Sequence, residues 1–195
     1  MTFVPIVKDK DAAFDVYSRL LKDRIVLLTG EIDSMTSEVV VAQFLYLNGT
    51  SSSTPISLYI NSPGGSVVDG LAIYDTMNNI QAPVHTVAFG QACSMGAVLL
   101  CGGELGHRQS LPNADIMIHQ VLGGTKGSYE DVKVQFAHME SANEKLFKIM
   151  ASHTGKTLKK IKEDADRDFH MTPEVAKKYG LIDKVLVPNK KAKVK

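Results

Sequence analysis

Cysteine is scarce in this 195-residue chain: there are only two, Cys93 and Cys101. If both lie on or beside one helix, the axial rise between them is roughly 12 Å, beyond disulfide reach. A reducing cytosol fits this usage best. Net charge is nearly absent too, at +1, so there is no global pull toward nucleic acid or a membrane surface. No apolar run reaches the length of a membrane span, and no signal peptide is expected at the start. The six histidines show no H-x-x-x-H or Cys/His ligand spacing, so neither a metal site nor a cofactor is expected. Internal repeats and low-complexity segments are missing as well. What is present, 44% apolar and 22% charged residues, is ordinary globular composition. The length suits one domain with a sizeable core, or one domain with a projecting element.

Residues 1–13 read as an arm, with apolar Phe3-Val4-Pro5-Ile6-Val7 followed by Lys8-Asp9-Lys10-Asp11. A single domain is expected over 14–187. It opens with a short amphipathic helix carrying Phe14, Tyr17, Leu20 and Leu21 at helical spacing. Arg24–Leu28 reads as a strand, and Thr36–Leu47 as a helix stopped by Asn48-Gly49. Ile56–Ile60 is a strand, and a helix follows from near Ser66 to about Asn79. Val84–Phe89 is apolar and rich in β-branched residues, a buried strand. Helix-permissive Ala97–Cys101 ends at Gly102-Gly103. This β-α-β-α-β-α order argues for parallel pairing with right-handed crossovers. Arg108–Leu111 and Ile116–His119 are further short strands, which puts His119 at a strand end.

Tyr129–His153 is the longest periodic element, with Val132, Phe136, Met139, Leu146 and Met150 on one stripe, Ser128 as cap and Thr154-Gly155 as stop. Such a helix measures roughly 37 Å, longer than the domain needs. Either it overshoots the core to meet another subunit, or it lies flat on the sheet. A short helix over Thr157–Ala165, a helix starting at Thr172-Pro173-Glu174 and ending at Tyr179-Gly180, and a strand over Leu181–Val187 complete the domain. The tail 188–195, with Lys190, Lys191, Lys193 and Lys195, is expected to be disordered.

Two strand-to-helix junctions hold the chemistry. In Gly90-Gln91-Ala92-Cys93-Ser94-Met95-Gly96-Ala97, Ser94 sits among small residues, close to the G-x-S-x-G pattern with Ala92 at the first glycine. A serine there can be exposed as a nucleophile while backbone N–H groups and the helix dipole face an oxyanion. The same serine also reads as an ordinary N-cap in a tight turn, which is the favoured reading of the octapeptide alone. At the other junction, Asn61-Ser62-Pro63-Gly64-Gly65 leaves unblocked N–H donors and room for close backbone approach. The two turns could flank one crevice at the strand ends.

Five motifs together resemble the proteolytic subunit of the ATP-dependent Clp protease (ClpP). They are Ser62-Pro63-Gly64-Gly65; Gly90–Ala97; Leu111-Pro112-Asn113 with Ile118-His119-Gln120; Arg167-Asp168-Phe169; and Tyr179-Gly180-Leu181-Ile182-Asp183. The likeness covers about 14–187. It implies an α/β fold of the ClpP/crotonase type, a repeated β-β-α spiral with 129–153 as a projecting handle helix. It implies a triad of Ser94, His119 and Asp168, and an oxyanion hole from the amides of Gly65 and Met95. Gly64, Ser66 and Val67 on one side, with Leu122, Gly123, Gly124 and Thr125 on the other, would pair with an extended substrate as strands. The resemblance further implies a homo-oligomer of two stacked seven-membered rings, with Asp166 and Arg167 contacting the opposite ring. It also implies unfolded polypeptide substrates and a AAA+ Clp ATPase. The ATPase docking cleft would include Tyr59, Asn79, Val87, Phe89, Gln109, Leu111 and Leu186.

This chain departs from the family's pattern in several places. Val121 stands where proline usually follows His-Gln, so the turn loses a fixed φ. Cys93 replaces an alanine, as a small buried residue. The segment from Val7 to Phe14 is short at the place of the axial-pore loop. Ser57, Asn79 and Gln109 make the docking cleft more polar. Two rival readings are a crotonase-type hydratase or isomerase, and a non-catalytic ring subunit.

Overall fold

The computed structural model describes residues 4–9 and 12–187. The lysine-rich tail lies outside the described residues. Residues 1–3, 10 and 11 of the expected arm also lie outside the described residues; within it β1 (Ile6–Asp9) pairs antiparallel with β2 (Ala12–Asp15) as a hairpin. Phe14 therefore belongs to a strand, the boundary expected after Ala13 falls inside β2, and helix α1 (Val16–Lys22) starts only after its N-cap Asp15.

The sheet is built from β3 (Ile25–Thr29), β4 (Ile56–Ser62), β5 (Val84–Cys93), β6 (Arg108–Ser110) and β9 (Lys184–Val185), all parallel along that path. Helices α2 (Ser34–Thr50) and α3 (Val67–Asn79) make the first two crossovers, and α4 (Met95–Cys101) follows β5. Two strands lie off this path. β7 (Asp115–Ile118) pairs in parallel with the far half of β5, and β8 (Phe169–Met171) runs antiparallel to β7. The core between sheet and helices is closed by Leu28, Phe44, Leu58, Ile60, Ile73 and Leu99, all fully buried.

Three elements differ from the sequence reading, each for a tertiary reason. β5 does not stop at Phe89. Gly90, at φ 78, makes a bulge inside it, and the Asn61 side chain fills the space a Cβ would occupy, at 2.6 Å. β5 then resumes and ends at Cys93, so its first half pairs β6 and its second half β7. α2 runs through Asn48-Gly49 to Thr50. The Arg24 guanidinium donates to the carbonyls of Leu47, Ser51, Thr54 and Pro55 and so ties the last turn of the helix to the loop beyond it. The last strand is only Lys184–Val185, because Leu181 and Ile182 pack into the core before it begins.

Helix α5 (Tyr129–Thr154) has 26 residues and spans roughly 39 Å. A capping box at Ser128 and Asp131 starts it, and left-handed Gly155 ends it. Its buried residues, Leu146, Phe147 and Met150, all lie in the C-terminal half, whereas Tyr129, Val134 and Phe136 are exposed. The helix overshoots the core and does not lie flat on it. Helices α6 (Leu158–Asp164) and α7 (Pro173–Tyr179) finish the chain, with Thr157 and Thr172 as caps.

The base of α5 is held by a buried cation. Arg108 grips both carboxylate oxygens of Asp183, at 2.9 and 2.6 Å, and donates to the His153 carbonyl at 2.8 Å. The Tyr74 hydroxyl lies 2.7 Å from His153 Nε2. Burial, and behind it the Arg108 charge, holds the His153 imidazole below its ordinary value. The unfolded chain therefore takes up that proton first, from about pH 6.5 downward, and stability present above that pH is lost as pH falls through the folded value. Thermal melts across this window should show the loss in the parent and a flatter profile in His153→Gln. Identical profiles would show that other groups set the slope.

Candidate active site

β4 leads into Pro63-Gly64-Gly65, and Ser66 caps α3 by accepting from the Asp69 amide at 3.3 Å. Ile32 holds this turn as a one-residue strand: its N–H donates to Gly64 O, and its carbonyl accepts from Ser66 N–H, both at 2.8 Å. The alternation of a parallel ladder leaves the amide of Gly65, between them, outside the pairing. Gly65 has φ 148, and an added Cβ would lie 2.2 Å from the Ile32 carbonyl oxygen. No larger residue fits there.

β5 leads into the second turn. Ser94 has φ 55 and ψ −123, a conformation that costs a side-chain-bearing residue on the order of 1–3 kcal/mol. It is held by its own N–H, which donates to Met117 O of β7 at 2.8 Å, and by its carbonyl, which accepts from Ala97 and Val98 in α4. Ser94 stands at the N-cap position, yet its hydroxyl makes no capping bond. Among the described residues that hydroxyl has no hydrogen-bond partner, and the Met95 amide is likewise unused. The two turns pack directly together. A Cβ on Gly64 would meet Ser94 Cβ at 2.6 Å and its Oγ at 3.0 Å.

β7 and β8 set the third part. Ile118 pairs with Phe169, so the residues flanking that rung, His119 and Asp168, fall opposite each other. His119 Nδ1 lies 3.0 Å from Asp168 Oδ1, with the imidazole 12% exposed and the carboxylate 62% exposed. Ser94 and His119 open into one cavity of about 240 Å³, floored by Val67, Val98, Ile118, Leu146 and Met150, with Gly65 on its wall. No direct hydrogen bond joins the two side chains among the described residues. A second concavity, of about 370 Å³, lies on the other side of His119, bounded by Leu122, Asp166, Arg167 and Asp168.

The remaining expected residues divide as follows. Val67 and Leu122 line the Ser94 cavity, while Gly124 and Thr125 line a neighbouring apolar one of about 330 Å³ with Leu71 and Met139. Leu122 through Gly127 form no hydrogen bonds with the described residues through their backbone. Arg167 turns back on Asp166, donating to its carbonyl at 2.9 Å, and both side chains are exposed. Tyr59, Val87 and Gln109 stand in register across β4, β5 and β6, and Phe89 meets the Tyr59 ring edge-on at 6.0 Å. Leu111 and Leu186 continue that edge, their amides pairing with Ala88 O and Ser110 O. Asn79 is not beside them; it lines a different hollow with Leu45, Thr76 and Ile80.

Burial, then the Asp115 charge, pushes the Cys93 thiol up to about 11, and burial pushes Cys101 up to about 12. Both are free thiols kept protonated at neutral pH. A contact absent from the sequence reading is Val121 N–H to Asn143 Oδ1 at 3.0 Å, which joins positions 22 apart and so has no local signal. Among the described residues no group of three or more His, Cys, Asp or Glu side chains is arranged to hold a metal ion. Among the described residues no helix is long and apolar enough to cross a membrane.

The mixed α/β architecture, with a mostly parallel sheet and seven helices among the described residues, is that of the ClpP/crotonase-like fold. A family model described as Clp protease matches residues 8–189, which takes in the end of β1 and every element from β2 to β9. Matched over nearly its whole length, the chain belongs to the Clp protease family, a family of peptidases.

Proposed function

We propose that the chain is a serine-type endopeptidase in which Ser94 attacks, His119 accepts its proton and Asp168 orients the imidazole. The observation that carries this reading is the strained, unbonded Ser94 hydroxyl, which shares a cavity with a histidine already bonded to a carboxylate. With Nδ1–H donating to Asp168, the neutral ring presents Nε2 as the acceptor. As Ser94 Oγ bonds to the scissile carbonyl carbon, its proton passes to Nε2 and negative charge gathers on the carbonyl oxygen. The unused amides of Gly65 and Met95 are the donors available to that oxygen. Collapse of the adduct expels the amine, which takes the proton from His119, and water repeats the cycle to release the acid. An extended substrate would lie between Gly64–Val67 and Leu122–Thr125, held by main-chain bonds, with an apolar side chain in the Ser94 cavity.

The open Ser94–His119 contact is of the kind that tightens on assembly or substrate binding. The reading therefore includes two stacked heptameric rings joined through α5 and the Asp166–Arg167 segment. It also includes a AAA+ Clp ATPase that feeds unfolded polypeptide in ATP-dependent degradation, and a cytoplasmic location in keeping with two free thiols. An intact Ser94, His119 and Asp168 speaks against a purely scaffolding subunit, and a serine and a histidine opening into one cavity speak against crotonase chemistry.

A fluorophosphonate probe with peptide mapping tests the assignment. Label on Ser94, lost in Ser94→Ala together with peptide cleavage by at least a thousandfold, is expected; Cys93→Ala should keep both. Label elsewhere, or full cleavage by Ser94→Ala, would refute the assignment. Sedimentation of Arg167→Ala should show single rings or monomers with weakened cleavage, and full activity in such particles would remove the link between assembly and chemistry. Gln109→Leu, in register with Tyr59 and Val87, should tighten ATPase binding by restoring apolar surface; unchanged affinity would sink the docking assignment.

A further inference from the structure

We infer that Asn143, on α5, is a positioning residue that fixes where the chain beyond His119 becomes a free strand edge. This rests on the proposed reading in which Leu122–Thr125 pairs with substrate. On leaving β7 the chain is tied down twice in succession. Gln120 donates from its backbone to Ala165 O at 2.7 Å and from its side chain to Asp166 O at 2.8 Å. Val121 then donates to Asn143 Oδ1 at 3.0 Å. From Leu122 to Gly127 no backbone bond to the described residues follows, until Ser128 caps α5. The Asn143 bond is therefore the last anchor before an edge whose donors and acceptors are unpaired.

The anchor exists because position 121 has an N–H to give. A proline there would offer none. Asn143 must present its oxygen, since the partner is a donor, and this settles the amide's orientation. Its own placement is firm, because Leu146, Phe147 and Met150, one and two turns on, are buried. Val121 and Leu122 border both the Ser94 cavity and the apolar cavity beside Met139. A shift at Val121 thus moves the edge relative to both hollows. His119 itself is held independently by Asp168 and by the two Gln120 bonds.

The test is a double-mutant cycle on the assembled protein, read by peptide cleavage and by fluorophosphonate labelling. Asn143→Ala should lower kcat/KM for a peptide roughly three- to tenfold, the worth of one hydrogen bond. The rate of labelling by the small probe, which touches no strand edge, should stay within about twofold. Asn143→Asp, which keeps an acceptor, should recover most of the loss. In the Val121→Pro background, with no N–H to anchor, Asn143→Ala should cost nothing further. An equal loss in both backgrounds, or labelling that falls in step with cleavage, would overturn the proposal. Amide exchange supplies a readout that needs no activity: Val121 should be protected in the parent and exposed in Asn143→Ala, and equal exchange would also overturn it. A parent that neither labels nor cleaves refutes the peptidase reading instead, leaving the exchange result to decide the anchor.

Discussion

The site depends on two backbones lying closer than side chains allow. Gly64 and Ser94 belong to turns 30 residues apart, yet a single methyl group on Gly64 would stand 2.6 Å from Ser94 Cβ and 2.9 Å from Cys93 O. Gly96 comes similarly near, with its Cβ position 3.1 Å from Ser62 O. This proximity brings the N-terminal ends of α3 and α4 to one point, each with an amide left over. It also explains the small residues on both sides of Ser94 without appeal to flexibility. They are small because another main chain occupies the space.

β7 converts that proximity into a site. Its Met117 carbonyl receives the Ser94 amide, so the strained serine is pinned by the strand that two residues later delivers His119. β8 lies on its other edge and brings Asp168 to the histidine. β7 can reach β5 only because β5 is bent at Gly90: the first half stays with β6, and the second half is freed for a new partner. One bulge thus separates the sheet into the part that builds the core and the part that carries the polar groups.

Local chemistry was legible in the sequence wherever one residue speaks for its own neighbourhood. Ser128 and Thr172 cap the helices whose starts they mark in the sequence, Ser66 and Thr157 prove to be caps just ahead of theirs, and Gly102, Gly155 and Gly180 end theirs. The order of strands and helices argues for mostly parallel pairing, and the main path of the sheet is parallel. Features set by distant partners were not legible. Asn48-Gly49 looks like a stop, and only Arg24, from the preceding strand's edge, explains why the helix continues. Gly90 looks like the end of a strand until Asn61 is placed against it. No periodicity distinguishes Asp168 from Asp115, Asp164 or Asp166. Family resemblance pointed to it, and the β7–β8 register supplies the physical reason it lies beside His119. Asp115 proves to be occupied elsewhere, with His170 at 2.9 Å, and Asp164 with Lys160 and Tyr179.

Several exposed or unpaired features lie around His119 and the chain that follows it, and this bears on how the proposed chemistry and assembly are related. Asp168 is mostly in water, Arg167 beside it still more so, the edge after Val121 is unpaired, and the first half of α5 exposes Tyr129, Val134 and Phe136. A carboxylate in water orients an imidazole weakly, because solvent competes for the same lone pairs and screens the charge; the same pair under cover is several times stronger. In the proposed assembly the surfaces a second ring would cover are the surfaces that surround this carboxylate. Covering them would add no group to the proposed triad. It would lower the local dielectric around a bond already formed and hold the unpaired edge in place, so on this reading one copy alone carries all three side chains and still lacks the environment that makes them effective.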